Sequence, residues 1–286
     1  SYYKNSSSII NFLWGDNMMT WFLSLNPILQ GLLATLFTWS ITALGASVVF
    51  FFKDVKKSIL NSMLGFGAGV MIAASFWSLL SPAIDLCDDL GYNSWLIPSL
   101  GFILGGFFIV LSDKFLDKFT FKDLKVEDGM RFKSYKKSIL LVLAVTLHNI
   151  PEGLAVGVAF GGAALGIPGC TVASAILLAI GIGLQNFPEG AAVSLPLRRE
   201  GFPVVKSFFY GQASGLVEPI AGVLGVFMAI AMRAVLPILL AFSAGAMIGV
   251  VSSELIPEAC LENKNLTTVG IIIGFTLMMI LDVALG

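Results

Sequence analysis

From His148 to Gly153 the chain reads HNIPEG, and from Gln185 to Gly190 it reads QNFPEG. Both stretches sit inside apolar runs of membrane-spanning length. His148 is the sole histidine of the chain. His148 and Glu152 stand at i and i+4, a spacing that puts both on one helix face, and Gln185 and Glu189 repeat it. A third carboxylate, Glu218, precedes Pro219 in the next apolar run. Measured along their runs, His148, Asn149, Glu152, Gln185, Asn186, Glu189 and Glu218 fall in one layer near the middle of the membrane. A carboxylate at that depth costs a few kcal/mol. Three of them with no intramembrane Lys or Arg require a cation, either protons or metal. The geometry favours metal, because imidazole nitrogen with carboxylate oxygen suits a borderline divalent ion such as zinc. Pro151 and Pro188 each remove an N–H and release the carbonyls of Leu147 and Leu184. Freed carbonyls at membrane depth belong beside a polar cavity. Taken singly, a buried histidine, a kink or a protonated glutamate has a structural explanation. Their combination in one layer points to an ion site.

The elements that position these residues follow from composition. The chain has 286 residues, 57% of them hydrophobic and 12% charged, against about 25% charged in soluble domains. This implies an all-α integral membrane protein, multi-pass, in a lipid bilayer of the cell (a plasma or inner membrane). Net charge of −1 gives no reason to expect a nucleic acid partner. Eight runs reach the length of about 20 residues that crosses the hydrocarbon core: 27–52, 58–83, 94–112, 138–164, 170–195, 204–230, 235–258 and 267–285. Residues 1–26 form an N-terminal interfacial segment with Trp14 and Trp21 at headgroup level, and residues 27–286 form the eight-helix membrane domain. No cleavable signal peptide is read at the start. Of the 17 Lys and Arg residues, all but Lys4 and Arg233 fall in the odd-numbered loops. The positive-inside rule then places those loops in the cytosol and both termini outside. The longest of them, 113–137, reads as a flexible cytosolic loop without assigned chemistry. Asp85, Asp88 and Asp89 make the opposite face acidic near the end of span 2. Cys87, Cys170 and Cys260 follow no metal-ligand spacing and read as packing residues.

The chain also resembles itself. Gly69, Met71 and Ile72 in span 2 match Gly245, Met247 and Ile248 in span 7 at constant spacing. Gly101, Gly105 and Asp113 in span 3 match Gly270, Gly274 and Asp282 in span 8. Spans 2 and 7 run in opposite directions, so spans 1–3 and 6–8 form an inverted repeat around the central 4–5 pair. Repeats of opposed orientation mark alternating-access transporters with a midplane site. Glu254 and Glu258 lie toward the cytosolic end of span 7, where a cation would leave.

HNIPEG, QNFPEGAAVSLPLR, Glu218–Pro219 and SELIPEA together resemble the ZIP (Zrt/Irt-like) family of divalent metal transporters, in its GufA-like branch, over all eight spans. The resemblance implies transport of divalent metal, usually zinc, into the cytosol through a two-metal site, with no cofactor beyond the transported ion. By position, one metal would take His148, Glu152, Glu189 and Glu218. The second would take Asn149, Gln185, Asn186, Glu189 and Glu218, with the last two bridging. Glu254 and Glu258 match the family's acidic motif in helix 7. Many members carry His where this chain has Gln185, and some bacterial members carry Asp where it has Asn186. Zinc therefore leads, with other divalent metals open; a homodimer is also left open. Two other readings stand beside transport of metal: a proton- or sodium-coupled transporter of an organic solute, and an intramembrane metalloenzyme. The latter lacks HExxH, and no enzyme activity is expected.

Overall fold

The structure, a computed structural model, describes residues 16–52, 56–121, 130–167, 170–261 and 263–285. Among the described residues there is no strand. That is the expected outcome for long apolar runs, because a helix satisfies its backbone within one segment where no water is at hand. The principal helices are α1 (Pro27–Phe51), α2 (Ser58–Asp89), α3 (Leu96–Phe121), α4 (Met130–Ala164), α5 (Val172–Arg199), α6 (Val204–Ala231), α7 (Arg233–Ala259) and α8 (Lys264–Ala284). Six of them, α1, α2 and α5 to α8, are long and apolar enough to cross a membrane. In α3 the apolar part is the shorter stretch Leu96–Ser112, and α4 carries the polar HNIPEG segment. The chain is therefore a multi-pass membrane protein.

Two boundaries differ from the sequence reading. Helix α3 continues to Phe121 and α4 begins at Met130, so much of 113–137 is helical, while 122–129 lies outside the described residues. The apolar run limits how much helix lies in lipid; it does not end the helix, which continues through residues such as Lys114, Leu116 and Lys118. At the N-terminus, a short helix covers Asp16–Ser24. Phe22 is buried there against Phe160 of α4, ring centroids 5.9 Å apart, while Trp21 is exposed. The preceding residues, with Trp14 of the expected interfacial segment, lie outside the described ones.

The most extensive packing joins α2 to α8, α4 to α6, α3 to α7, and α1 to α5. Each pair is parallel. Gly65 meets Thr267 and Gly69 meets Ile271 along α2 and α8; Gly101 meets Ile238 and Gly105 meets Phe242 along α3 and α7. In each case the glycine faces a partner backbone carbonyl so closely that a Cβ would collide with it. Small residues of this kind let membrane helices approach where no hydrophobic force drives them together.

The pairing carries the internal repeat into three dimensions. Exchanging α1 with α6, α2 with α7, α3 with α8 and α4 with α5 turns the α1–α5 contact into the α6–α4 contact, and the α2–α8 contact into α7–α3. Local geometry follows the same exchange. Helix α2 widens to a π segment at Ser75–Leu80, and α7 does so at Val251–Leu255. The spacing that pairs Gly69 with Gly245 also pairs Ser75 with Val251. Pro82 and Pro257 follow the two segments closely, and each leaves a carbonyl without its usual donor.

Substitution along these locks should separate close approach from ordinary contact. Gly105→Ala drives a methyl into the Phe242 backbone and should lower stability by about 1–3 kcal/mol or more. Gly106→Ala meets only the Gly245 carbonyl at 3.7 Å and should fold as the parent does. Thermal unfolding of the two purified variants in detergent checks the contrast.

Candidate metal centre

Helix α4 runs unbroken through Pro151, and α5 through Pro188 and Pro196. Their glycines set the depth of the site. Gly153 lies against the Glu218 carbonyl of α6, and Gly190 against the Thr42 carbonyl of α1, both too near to admit a Cβ. Glu218 follows a 3-10 turn, Ser214–Leu216, and Pro219 denies a donor to the Gly215 carbonyl within that turn. The helix departs from regular α geometry at this turn.

These helices bury a polar layer inside the membrane domain. His148, Asn149, Glu152, Gln185, Asn186, Glu189 and Glu218 are all buried, with Glu152, Gln185, Asn186 and Glu218 at 0% exposure. Two carboxylates in it are treated in opposite ways. Glu218 is held by donors on every side: Thr38 Oγ1 donates to Oε2 at 2.5 Å, Thr42 Oγ1 to Oε1 at 3.4 Å, and Asn186 Nδ2 to both oxygens at 3.0 Å. Neither oxygen of Glu152 has a donor in close hydrogen-bonding geometry, nor has Asn149 Oδ1 or Gln185 Oε1; the nearest polar group to Glu152 on α5 is the Gln185 side chain. Buried acceptors without donors are costly, and a cation is the partner that suits oxygens of this kind.

The two asparagines are anchored alike. Asn149 Nδ2 donates to the Ser214 carbonyl at 2.9 Å, and Asn186 Nδ2 to the Thr38 carbonyl at 3.3 Å. The spacing that pairs Gly69 with Gly245 pairs Thr38 with Ser214, and His148 with Gln185 as Asn149 with Asn186 on the central helices. These bonds are therefore symmetric partners. Gln185 Nε2 donates to Asn186 Oδ1 at 2.7 Å, which engages the Asn186 oxygen and leaves Gln185 Oε1 without a donor.

His148 Nδ1 lies 3.5 Å from Glu254 Oε2 on α7. Glu189 lies within electrostatic reach of Glu152, Glu218 and Glu254. A cavity of about 80 Å³ connects His148 and Glu189 with Glu254 and Glu258, walled by apolar residues such as Leu64 and Val145. Glu258, at its far end, is exposed. Thus the structure brings Glu254 and Glu258 to the same cavity as the central layer. As placed, no three His, Cys, Asp or Glu side chains among the described residues converge closely enough to enclose a metal ion.

Thr38 and Thr42 were not among the residues singled out in the sequence. Their signal was a buried hydroxyl face at Thr35, Thr38 and Thr42, spaced as one side of α1, with Thr38 and Thr42 matching Ser214 and Glu218. Asp282 accepts a hydrogen bond from Ser78 Oγ at 2.6 Å, linking α8 to the π segment of α2; the side chain of Asp113, its repeat partner, lies outside the described residues. Cys87 and Cys170 are buried, Cys260 is half-buried, and all three are free thiols. Between α4 and α5, burial and then the charge of Asp85 push the Cys170 thiol up to about 12. That leaves it protonated and unsuited to ligation.

Known sequences match this arrangement. The family model described as ZIP zinc transporter matches residues 126–282. The chain is 40% identical to zinc transporter ZIP11 of Xenopus tropicalis, over 91% of this chain and 98% of that protein. It is 35% identical to zinc transporter GufA of Myxococcus xanthus, over 90% and 99%. It is also 35% identical to zinc transporter ZIPB of Bordetella bronchiseptica, over 98% and 87%.

The Glu218 cradle makes a stability prediction. Asn186→Leu removes the donor that serves both Glu218 oxygens and should cost about 1.5–3 kcal/mol. In a double-mutant cycle, thermal unfolding should show that this loss shrinks when Glu218→Gln is present, since the charge to be held is gone.

Proposed function

Because the chain belongs to the ZIP zinc transporter family, we propose that it moves divalent metal ions, zinc foremost, into the cytosol by alternating access through a binuclear site in the central polar layer. It is a transporter and not an enzyme. One metal is held by His148, Glu152, Glu189 and Glu218, and the other by Asn149, Gln185, Asn186, Glu189 and Glu218. The observation that carries this reading is the cavity that links His148 and Glu189 to Glu254 and the exposed Glu258, beside a Glu152 carboxylate without a donor in close geometry. It supplies a polar path from the buried layer to one face of the protein, lined with the ligand chemistry of a borderline cation.

Bridging by Glu189 and Glu218 has an electrostatic rationale. Two divalent ions a few ångströms apart repel, and shared carboxylates between them offset that repulsion. The donor set is rich in oxygen and holds one imidazole, so selection among divalent ions rests on His148 more than on any other residue.

The cavity also weighs against an organic solute as cargo. Sites for drug-sized molecules enclose about 300–1,000 Å³, whereas this cavity has about 80 Å³, which suits an ion with a few waters. On the basic-loop rule, Glu258 faces the cytosol, and Glu254 and Glu258 form the exit. The inverted halves would then alternate the layer's exposure between the two faces, with the host membrane a plasma or inner membrane.

Zinc flux into proteoliposomes tests the site. Glu189→Ala should abolish flux while the variant still elutes as folded protein; transport at the parent rate would overturn the two-metal reading. His148→Gln should keep some flux but lose preference for zinc over manganese in a competition assay.

A further inference from the structure

We infer that Thr38 and Thr42 of α1 form a berth for the Glu218 carboxylate, which Glu218 leaves on binding metal and to which it returns on release. The inference deepens the proposed metal site and rests on that reading.

It follows from how the donors are arranged. Glu218 accepts from Thr38, Thr42 and Asn186, so its oxygens are turned to α1 and α5. Each of those donors has a second acceptor already within reach. Thr38 Oγ1 lies 3.0 Å from the Thr35 carbonyl, Thr42 Oγ1 lies 3.3 Å from the Thr38 carbonyl, and Asn186 Nδ2 lies 3.3 Å from that same Thr38 carbonyl. A threonine in a helix readily turns its hydroxyl back to a carbonyl of its own preceding turn. When Glu218 departs, no donor is orphaned, and the usual penalty for breaking a buried hydrogen bond is avoided.

The repeat supports the same assignment. Thr42 is the counterpart of Glu218, and Thr38 of Ser214. One half of the frame supplies a mobile carboxylate, and the other supplies hydroxyls at the equivalent place to receive it. Metal must therefore compete with the berth. Apparent affinity falls by the fraction of time that Glu218 spends away from the metal. In return, release of the ion becomes easier, because the departing carboxylate has donors waiting. Thr38 and Thr42 act as positioning residues, since they reach the ion only through Glu218.

The test uses the full chain, purified in detergent, with zinc ion alone as probe in equilibrium dialysis, and flux measured in proteoliposomes. Thr38→Val keeps the shape and removes the hydroxyl. It should tighten zinc binding by about tenfold, the equivalent of one hydrogen bond to a charged group. The zinc concentration at half-maximal flux should fall, and the maximal rate should fall with it because release slows. Thr38→Ser should restore both parent values, and Thr42→Val, at the longer distance, should shift them less. Thr38→Cys, similar in size with a weak donor, carries the same test if the valine variant does not fold. Unchanged or weaker zinc binding in a folded Thr38→Val or Thr38→Cys overturns the berth. If Glu189→Ala leaves zinc binding intact, the site itself is misassigned. If Glu189→Ala abolishes binding while Thr38→Val leaves it unaltered, the berth alone is wrong.

Discussion

A carboxylate in the middle of a lipid-spanning bundle must be given either donors or a cation, and much of this structure can be traced to that demand. Glu218 receives donors from two helices. Glu152, on the adjoining α4, has no donor in close geometry and only the Gln185 side chain nearby, and the oxygens of Asn149 and Gln185 are equally unmatched. Placing both kinds of carboxylate in one layer gives the site a fixed appetite for positive charge at one position and a satisfied carboxylate at another.

The frame is symmetric and the chemistry is not. Asn149 and Asn186 make equivalent bonds to the carbonyls of Ser214 and Thr38, and the π segments of α2 and α7 begin at equivalent residues. On that frame, His148 opposes Gln185, and Glu218 opposes Thr42. Equivalent backbone thus carries different side chains, so the repeat fixes where the groups sit while their identity makes the layer unequal from one half to the other.

Much of this was legible in the sequence. Apolar run lengths locate the six helices long and apolar enough to cross a membrane, α1, α2 and α5 to α8, because lipid allows few other ways to satisfy a backbone. The HNIPEG and QNFPEG spacings place His148, Glu152, Gln185 and Glu189 correctly in the buried layer, because helical geometry fixes which residues share a face. Legibility stopped where a partner is remote in sequence. Thr38 and Thr42 look like ordinary threonines of a membrane helix, since their acceptor Glu218 lies five helices later. Nor does a sequence show that the Asn186 oxygen is engaged by its neighbour Gln185, a matter of side-chain rotamer. Helix ends were misjudged around 113–137 for a different reason: charge tells where lipid stops, and the helix continues beyond it.

The four glycine-locked pairs join α1 with α5, α4 with α6, α3 with α7, and α2 with α8. Every pair takes one helix from the first half of the chain and one from the second. Each of these contacts is therefore long-range in sequence: α1 to α4 find their glycine-locked partners only in the second half of the chain, so the tightest packing of the bundle is of the kind that forms late in folding.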